Sequence, residues 1–385
     1  MLIMRKDILY LLVLVLIATI GFTTNILAET KKNSQKKGGL SSASKNNKQA
    51  LEKYNNAIRL NPKDGEAYGK RGLIYYNLGQ YEKAKEDYNQ AIALYPNYKM
   101  AYNNRGLAYH KLEKYKQAIK DFDEAIKLYP NYTKAYYNRG SAYYDLGKHQ
   151  QAIEDYSQAI NLDQNLWEAY YGRGRALLYS GKNKQSIEDF NKAVNLNPKN
   201  WQPFYGRGST YGKLGNFQQA IEDYSQAIYF NPNMDVLYHD RGVIYIKLEK
   251  YQKAFKDYDQ AIRLNSKYGK SFFGRGIAYL KLGKSPQAIE DFNQAIRLDP
   301  NYANFTLFYI NRGFAYHSLG KLQTAMKDYN QAISLDPNNI QGYINRGDVY
   351  LKLGKKSSAC TDWQRACKLG SCITFNWAKE KGHCQ

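Results

Sequence analysis

The 385-residue chain is poor in several residue types, and each shortage excludes something. It holds four cysteines, too few for a disulfide-dense miniprotein. Its five histidines, His110, His149, His239, His317 and His383, are scattered, with no metal spacing such as HExxH. There is no Walker loop, no nucleotide-binding glycine pattern and no nucleophile elbow. A single long apolar run, near the start, excludes a polytopic membrane protein. Acidic residues are scarce: 34 Asp and Glu against 56 Lys and Arg give a net charge of +22, a balance that points toward nucleic acid or anionic lipid. What the chain has in plenty is tyrosine, 38 residues, within a 43% hydrophobic composition that allows collapse.

The apolar run follows Arg5, Lys6 and Asp7. An uncharged stretch extends from Ile8 to Ala28, with its core at Ile8 to Phe22. This is the pattern of a secretory signal with cleavage after Ala28, although Ile26 is bulkier than the ideal small residue. The stretch is also long enough to remain as a membrane anchor. Residues 1–28 are therefore read as a signal peptide or an anchor. No cysteine stands there to carry a lipid. Either reading places the rest of the chain outside the cytoplasm, periplasmic or otherwise exported. Residues 29–48, polar and rich in Lys, Ser, Asn and Gly, are read as a flexible linker.

Beyond the linker the chain repeats. Arg-Gly recurs at Arg71, Arg105, Arg139, Arg173, Arg207, Arg241 and Arg275 with an interval of 34, then at Arg312 after 37 and at Arg346 after 34. Nine units run to Gly370, preceded by a half unit carrying Ala50, Tyr54, Ala57 and Pro62. The three extra residues lie near Phe305-Thr306-Leu307. Within a unit, Tyr102, Arg105, Gly106 and Tyr109 fall on one helical face, and Leu112-Glu113-Lys114 makes a turn. Ala118, Phe122, Ala125 and Ile126 form the stripe of a second helix, which Pro130-Asn131 stops. Aromatics recur three residues before each Arg, four after it (with Leu177 the exception), and once in each second helix. Those three positions hold 20 of the 38 tyrosines.

This pattern resembles the tetratricopeptide repeat family, over roughly four-fifths of the chain. The resemblance implies an all-α fold: a right-handed superhelical solenoid of antiparallel helix pairs over residues 49–370, its concave groove lined by each first helix. The Arg departs from the family's more usual apolar residue. An Arg on a packed face needs a partner. Sixteen residues after each one stands an aspartate: Asp87, Asp121, Asp155, Asp189, Asp223, Asp257, Asp291, Asp328 and Asp362. The 37-residue interval carries both residues together. The expectation is a structural ladder of ion pairs between first and second helices, which fixes register more than it adds stability. Removing the nine pairs leaves the net charge at +22, now carried mostly by lysine. The charge then reads as a solvated surface, with weak attraction to anionic surfaces left open and nucleic acid disfavoured.

The groove is expected where the units vary on this fixed scaffold. Two residues before the Arg, Tyr137, Tyr171, Tyr205 and Phe273 form an aromatic run, with glycines opening space beside the last three. Immediately before the Arg, Asn104, Asn138, Asn311 and Asn345 resemble the asparagines with which some family members clamp an extended peptide, since an amide both donates to and accepts from a peptide bond. The alternative is that these side chains only pack or meet water. The lysine-containing clamp that some family members close on a terminal carboxylate is not recognisable.

All four cysteines lie at the end: Cys360, Cys367, Cys372 and Cys384. An exported chain makes disulfides the natural reading. Cys360 and Cys367 lie about 10.5 Å apart along one helix, beyond the roughly 7 Å a bridge tolerates. A hairpin after Gly370 favours the nested pairs Cys367–Cys372 and Cys360–Cys384; the crossed pairing stays open. Residues 371–385 are thus read as a stapled terminal cap, and the stretch from Ala359 to Cys372, ACTDWQRACKLGSC, resembles the ending of exported bacterial repeat proteins. Zinc is the rival, without a CxxC to support it.

The chain is read as a non-enzymatic scaffold outside the cytoplasm. It requires no cofactor, holds a peptide segment or helix of a protein partner in its groove, and serves assembly of a membrane or surface complex. The alternatives are a basic module for anionic lipid, polysaccharide or nucleic acid, and an accessory subunit of an enzyme complex.

Overall fold

The computed structural model describes residues 40–298 and 305–385. The expected leader or anchor and the linker as far as residue 39 lie outside the described residues. Twenty helices and no strand occur among those described. They fall into two compact units, residues 40–214 and 215–385. The N-terminal unit comprises α1 (Leu40–Leu60), α2 (Gly65–Asn77), α3 (Tyr81–Leu94), α4 (Lys99–Lys111), α5 (Tyr115–Leu128), α6 (Thr133–Asp145), α7 (His149–Leu162), α8 (Trp167–Tyr179), α9 (Asn183–Leu196) and α10 (Trp201–Leu214). The C-terminal unit comprises α11 (Phe217–Phe230), α12 (Asp235–Lys247), α13 (Tyr251–Leu264), α14 (Gly269–Lys281), α15 (Ser285–Leu298), α16 (Phe305–Ser318), α17 (Leu322–Leu335), α18 (Ile340–Lys352), α19 (Lys356–Lys368) and α20 (Ile373–Glu380). Among the described residues no helix is long and apolar enough to cross a membrane.

Within each unit every helix packs on the next, the all-α stack of antiparallel helix pairs that the repeat spacing predicts. The half unit is present as α1, which begins at Leu40, inside the stretch expected as linker. One of the three extra residues lengthens α16 to 14 residues against 13 in α14; the other two fall within 299–304, outside the described residues.

The pairs close because small residues face large ones. In the second helices Ala84, Tyr88 and Ala91, or Ala118, Phe122 and Ala125, are fully buried. The aromatic of each such set lies against the glycine after the ladder arginine: a Cβ placed on Gly106 would sit 2.6 Å from Phe122. The turn between the two helices of a repeat uses a left-handed residue, glycine in most repeats (Gly79, φ 75°) but Glu113 and Glu249 in two, at φ 60° and 57°.

The last repeat ends on a cap. Trp363 is fully buried against Ala359 and Ala378, with Trp377 edge-on at 6.2 Å. The disulfides are the nested pair, Cys360–Cys384 with Cα atoms 5.5 Å apart and Cys367–Cys372 at 3.9 Å, so α20 is tied back onto α19.

Candidate functional site

The arginine ladder sets the frame. Arg71–Asp87, Arg105–Asp121, Arg139–Asp155 and Arg173–Asp189 in the N-terminal unit are two-bond forks, Nε donating to Oδ2 at 2.8 Å and Nη2 to Oδ1 at 2.6 to 2.7 Å. Arg241–Asp257, Arg275–Asp291, Arg312–Asp328 and Arg346–Asp362 repeat the fork in the C-terminal unit. Arg207 belongs to the first unit and Asp223 to the second.

All nine ladder arginines carry a further bond that the Arg–Asp spacing does not announce. Arg Nη1 reaches back to the second helix of the preceding repeat, to Asn55, Asn89, Asp123, Ser157, Asn191, Ser225, Asp259, Asn293 or Asn330, at 2.6 to 3.0 Å. The signal was present as a column of short acceptors sixteen residues before each arginine, nineteen in the repeat that carries the extra residues. The aromatic three residues before the Arg covers the same guanidinium, from 5.2 Å at Tyr309 to 6.0 Å at Tyr238. Two of the three recurring aromatic positions thus serve the arginine: Tyr75, four residues after Arg71, lies 5.9 Å from it. The third fills the space beside the glycine.

The two partners in a fork feel burial differently. In the first pair Arg71 keeps 20% side-chain exposure and Asp87 only 6%. Hydrogen bonding to Asp87 raises the Arg71 pKa. Burial pushes the carboxyls of Asp121, Asp155, Asp189, Asp257 and Asp291 above their ordinary value, and their arginines only partly reverse it. The forks therefore fix which helices meet and in what register, at a desolvation cost that both partners share.

The expected groove residues separate into two groups. Tyr171, Tyr205 and Phe273 are buried, at 9%, 3% and 6% exposure, and form no open aromatic run. Tyr171 packs on Phe190 at 5.9 Å, Tyr205 on Trp201 at 6.1 Å, and Phe273 on Phe308 at 4.3 Å. The neighbouring glycines do not open space either. A Cβ on Gly172, Gly206 or Gly274 would meet the ring of Tyr156, Phe190 or Tyr258 of the preceding repeat at 2.4 to 2.6 Å. Those glycines let successive repeats close together. Tyr137 is half-buried against Tyr156, ring to ring at 5.8 Å. Asn311 and Asn345 are also buried: Asn311 Nδ2 donates to the Leu307 carbonyl at 2.7 Å, and Asn345 Oδ1 accepts from Gln341 at 2.6 Å.

Asn104 and Asn138 differ. Both are half-buried, and the buried Asn103 joins them: its Nδ2 donates to Asn104 Oδ1 at 3.1 Å and its Oδ1 accepts from Asn138 Nδ2 at 2.9 Å. Asn104 Nδ2 and Asn138 Oδ1 keep no bond among the described residues, so one free donor and one free acceptor stand on adjacent first helices. Asn104 also lines a cleft of about 490 Å³ between α2 and α4, with Glu66, Lys70, Leu73, Tyr95, Tyr98 and Met100. Leu73, Tyr95 and Met100 expose 45%, 45% and 49% of their surface there, and Lys70 pairs with Glu66 at 2.9 Å on the rim. Among the described residues no cluster of three His, Cys, Asp or Glu side chains is placed to hold a metal.

Segments 65–98, 100–132, 133–166, 201–234, 236–268 and 269–302 match the Tetratricopeptide repeat pattern, together more than half of the chain. The chain belongs to the tetratricopeptide repeat family. Segments 43–79, 174–215 and 313–354 match a second TPR repeat pattern, so the TPR register runs from the half unit to the last full one. No curated protein matches the chain in sequence. Among solved structures, this TPR chain is similar to a tetratricopeptide repeat protein from Parabacteroides merdae ATCC 43184, at 23% identity over 63% of this chain and 94% of that one, TM-score 0.49. It is also similar to YrrB, described as a TPR protein with an unusual peptide-binding site, at 25% identity over 50% and 98%, TM-score 0.42. A third likeness is to the APC/C hetero-tetramer Cut9–Hcn1, at 15% identity over 83% and 78%, TM-score 0.51; it is a likeness of fold. Repeats and fold together support a protein-interaction scaffold.

Proposed function

We propose that this TPR chain is a non-enzymatic scaffold that holds an extended segment of a partner protein on the first-helix face of its N-terminal unit. The observation that carries the reading is the pair of free amide edges, Asn104 Nδ2 and Asn138 Oδ1, locked in position through Asn103 beside the apolar cleft of Leu73, Tyr95 and Met100. A peptide backbone presents one N–H and one C=O per residue, and the two edges match that alternation. A photo-cross-linking residue at Met100 is expected to capture a discrete partner, whereas one at the exposed Glu188 of a second helix captures none. Asn104→Ala with Asn138→Ala should weaken the same partner about tenfold. Equal capture at both positions argues against a groove.

The same proposal places the protein outside the cytoplasm. Its support is the uncharged stretch from Ile8 to Ala28 and the pairing of every cysteine in a disulfide, chemistry that persists in oxidising compartments. An alkaline phosphatase fused after Lys48 should be active in intact cells; an inactive fusion overturns the location.

A further inference from the structure

Arg175 is unlike the ladder arginines around it. It stands two residues after Arg173 on α8, half-buried, and pairs with no carboxylate among the described residues. Its Nη2 donates to the phenol oxygen of Tyr144 at 3.0 Å. Its guanidinium carbon lies 4.3 Å from the Tyr144 ring centre and 5.7 Å from that of Tyr171. Asp145 is near enough to feel its charge, yet the Asp145 carboxylate sits 2.9 Å from His110 Nε2 instead. Nε and Nη1 of Arg175 make no hydrogen bond among the described residues. Neither atom is among the buried unsatisfied ones, so the two donor edges are open to a ligand from the solvent side. The four forked arginines of this unit, Arg71, Arg105, Arg139 and Arg173, each have an aspartate of their own repeat.

The surroundings define what fits. Tyr137, Tyr144, Tyr156 and Tyr171 ring the site, and burial raises the pKa of each phenol, so all four are neutral hydroxyls. Tyr156 already donates to Ser141 at 3.1 Å. Tyr179, 41% exposed, stacks on His149 at 5.3 Å and meets the Tyr144 ring edge-on at 5.7 Å, forming the outer wall. Among the described residues Arg175 is the one guanidinium at these rings, and the Asp145 and Glu168 carboxylates lie close by. Two acids beside a single cation oppose each further negative charge on a ligand, so a carboxylate held in the fork is opposed less than a dianionic phosphate. The planar fork of a guanidinium matches the two oxygens of a carboxylate.

We propose that Arg175 is the anchor for a carboxylate of the partner segment, either a chain terminus or an acidic side chain, flanked by the aromatic walls of Tyr144 and Tyr179. The proposal rests on the reading that the first-helix face binds a peptide segment.

The test probes the full chain with arrayed random decapeptides in three forms: a free C-terminus, an amidated C-terminus with internal Asp or Glu, and an amidated C-terminus with Asn and Gln in their place. The first or second form should bind about tenfold better than the third. Preference for the first form alone assigns the terminus, and for the second alone the side chain. In Arg175→Gln the ratio should fall to near one with binding still measurable. Arg175→Lys, which keeps the charge without the fork, and Tyr144→Phe, which removes only the accepting phenol, should each lose about threefold. Arg297→Gln, on an exposed second-helix surface, should change nothing, and melting curves establish that the variants fold. Equal binding of all three forms by the wild type, undiminished preference in Arg175→Gln, or tighter binding of the second form when phosphoserine replaces its Asp and Glu overturns the anchor while leaving the groove standing. Failure to bind any peptide overturns both.

Discussion

Arg139 Nη1 donates to Asp123 Oδ1 at 2.6 Å, from the first helix of one repeat to the second helix of the repeat before it. The same guanidinium grips Asp155 of its own repeat through Nε and Nη2. One side chain thus ties three helices, α5, α6 and α7. In a stack where each repeat touches only its neighbours, such a tie sets the stagger between them. Removing it by Arg139→Ala strands the carboxylate of Asp155, 7% exposed, and should cost about 3–5 kcal/mol. Arg139→Met with Asp155→Leu removes both charges and should stay within about 1 kcal/mol of the wild type. Urea midpoints, with hydrogen exchange resolved over α5 to α7, give the comparison. If the double variant is as weak as the single one, the fork is a source of stability and not of register.

The close approach of repeats at Gly274 leads to a second expectation. A Cβ there would lie 2.4 Å from Cζ of Tyr258, a ring only 2% exposed and unable to withdraw. Gly274→Ala should therefore destabilise the C-terminal unit by about 1–3 kcal/mol through overpacking, against the helix-propensity gain of about 1 kcal/mol that alanine brings. A Gly274→Ala chain that melts at or above the wild-type temperature would show that α13 and α14 can part at this contact without loss.

Much of this was legible in the sequence, for reasons that also explain the rest. Arg312 and Asp328 shift together across the 37-residue interval, so covalent spacing alone marked them as partners. The backward acceptor escaped because Asn, Asp and Ser all fill it: a hydrogen-bond acceptor is conserved in chemistry and not in letter. Depth was the other blind spot. Periodicity puts Tyr171 and Phe273 on the first-helix face, but it does not say how near the previous repeat lies. Gly172 and Gly274, read as open space, are what brings it near. Asn311 turned inward because the Leu307 carbonyl of its own helix was within reach. Arg175 carried no periodic mark at all, since its column also holds Leu73, Ser141 and Val243.

The cap gives a local expectation. Cys360 and Cys384 are separated by 24 residues, a loop whose closure limits the unfolded chain by about 3–4 kcal/mol in the chain-entropy account. Because repeats couple only to neighbours, the loss in Cys360→Ser with Cys384→Ser should concentrate in α18 to α20. Deuterium uptake around Trp363 and Trp377 should rise while α11 and α12 keep their protection. Uniform uptake across the whole C-terminal unit would instead mean that the cap holds the unit as one cooperative block.

His239 supplies the acid response. Its ring is 2% exposed, with Nδ1 at 3.0 Å from Ser271 Oγ and the rings of Tyr258 and Tyr268 at 5.5 and 5.0 Å. Burial, aided by the charge of Lys270, pushes its pKa from 6.5 down to about 3. The buried Asp235 and Asp240 on the same helix do not offset this. The folded protein therefore binds fewer protons than the unfolded chain between those two values. Stability is full above pH 6.5 and falls as the pH drops toward about 3, with a slope approaching about 1.4 kcal/mol per pH unit. His239→Phe, which places at this position the residue the next repeat carries at Phe273, removes the titration. Between pH 6.5 and 5, above the range where ordinary carboxylates protonate, the wild-type melting temperature should fall more steeply than that of the variant, which keeps the response of His149, a ring whose pKa burial and Arg175 also lower. Parallel curves over that interval would mean that the ring takes up its proton in the folded state by turning toward Asp240 or toward solvent.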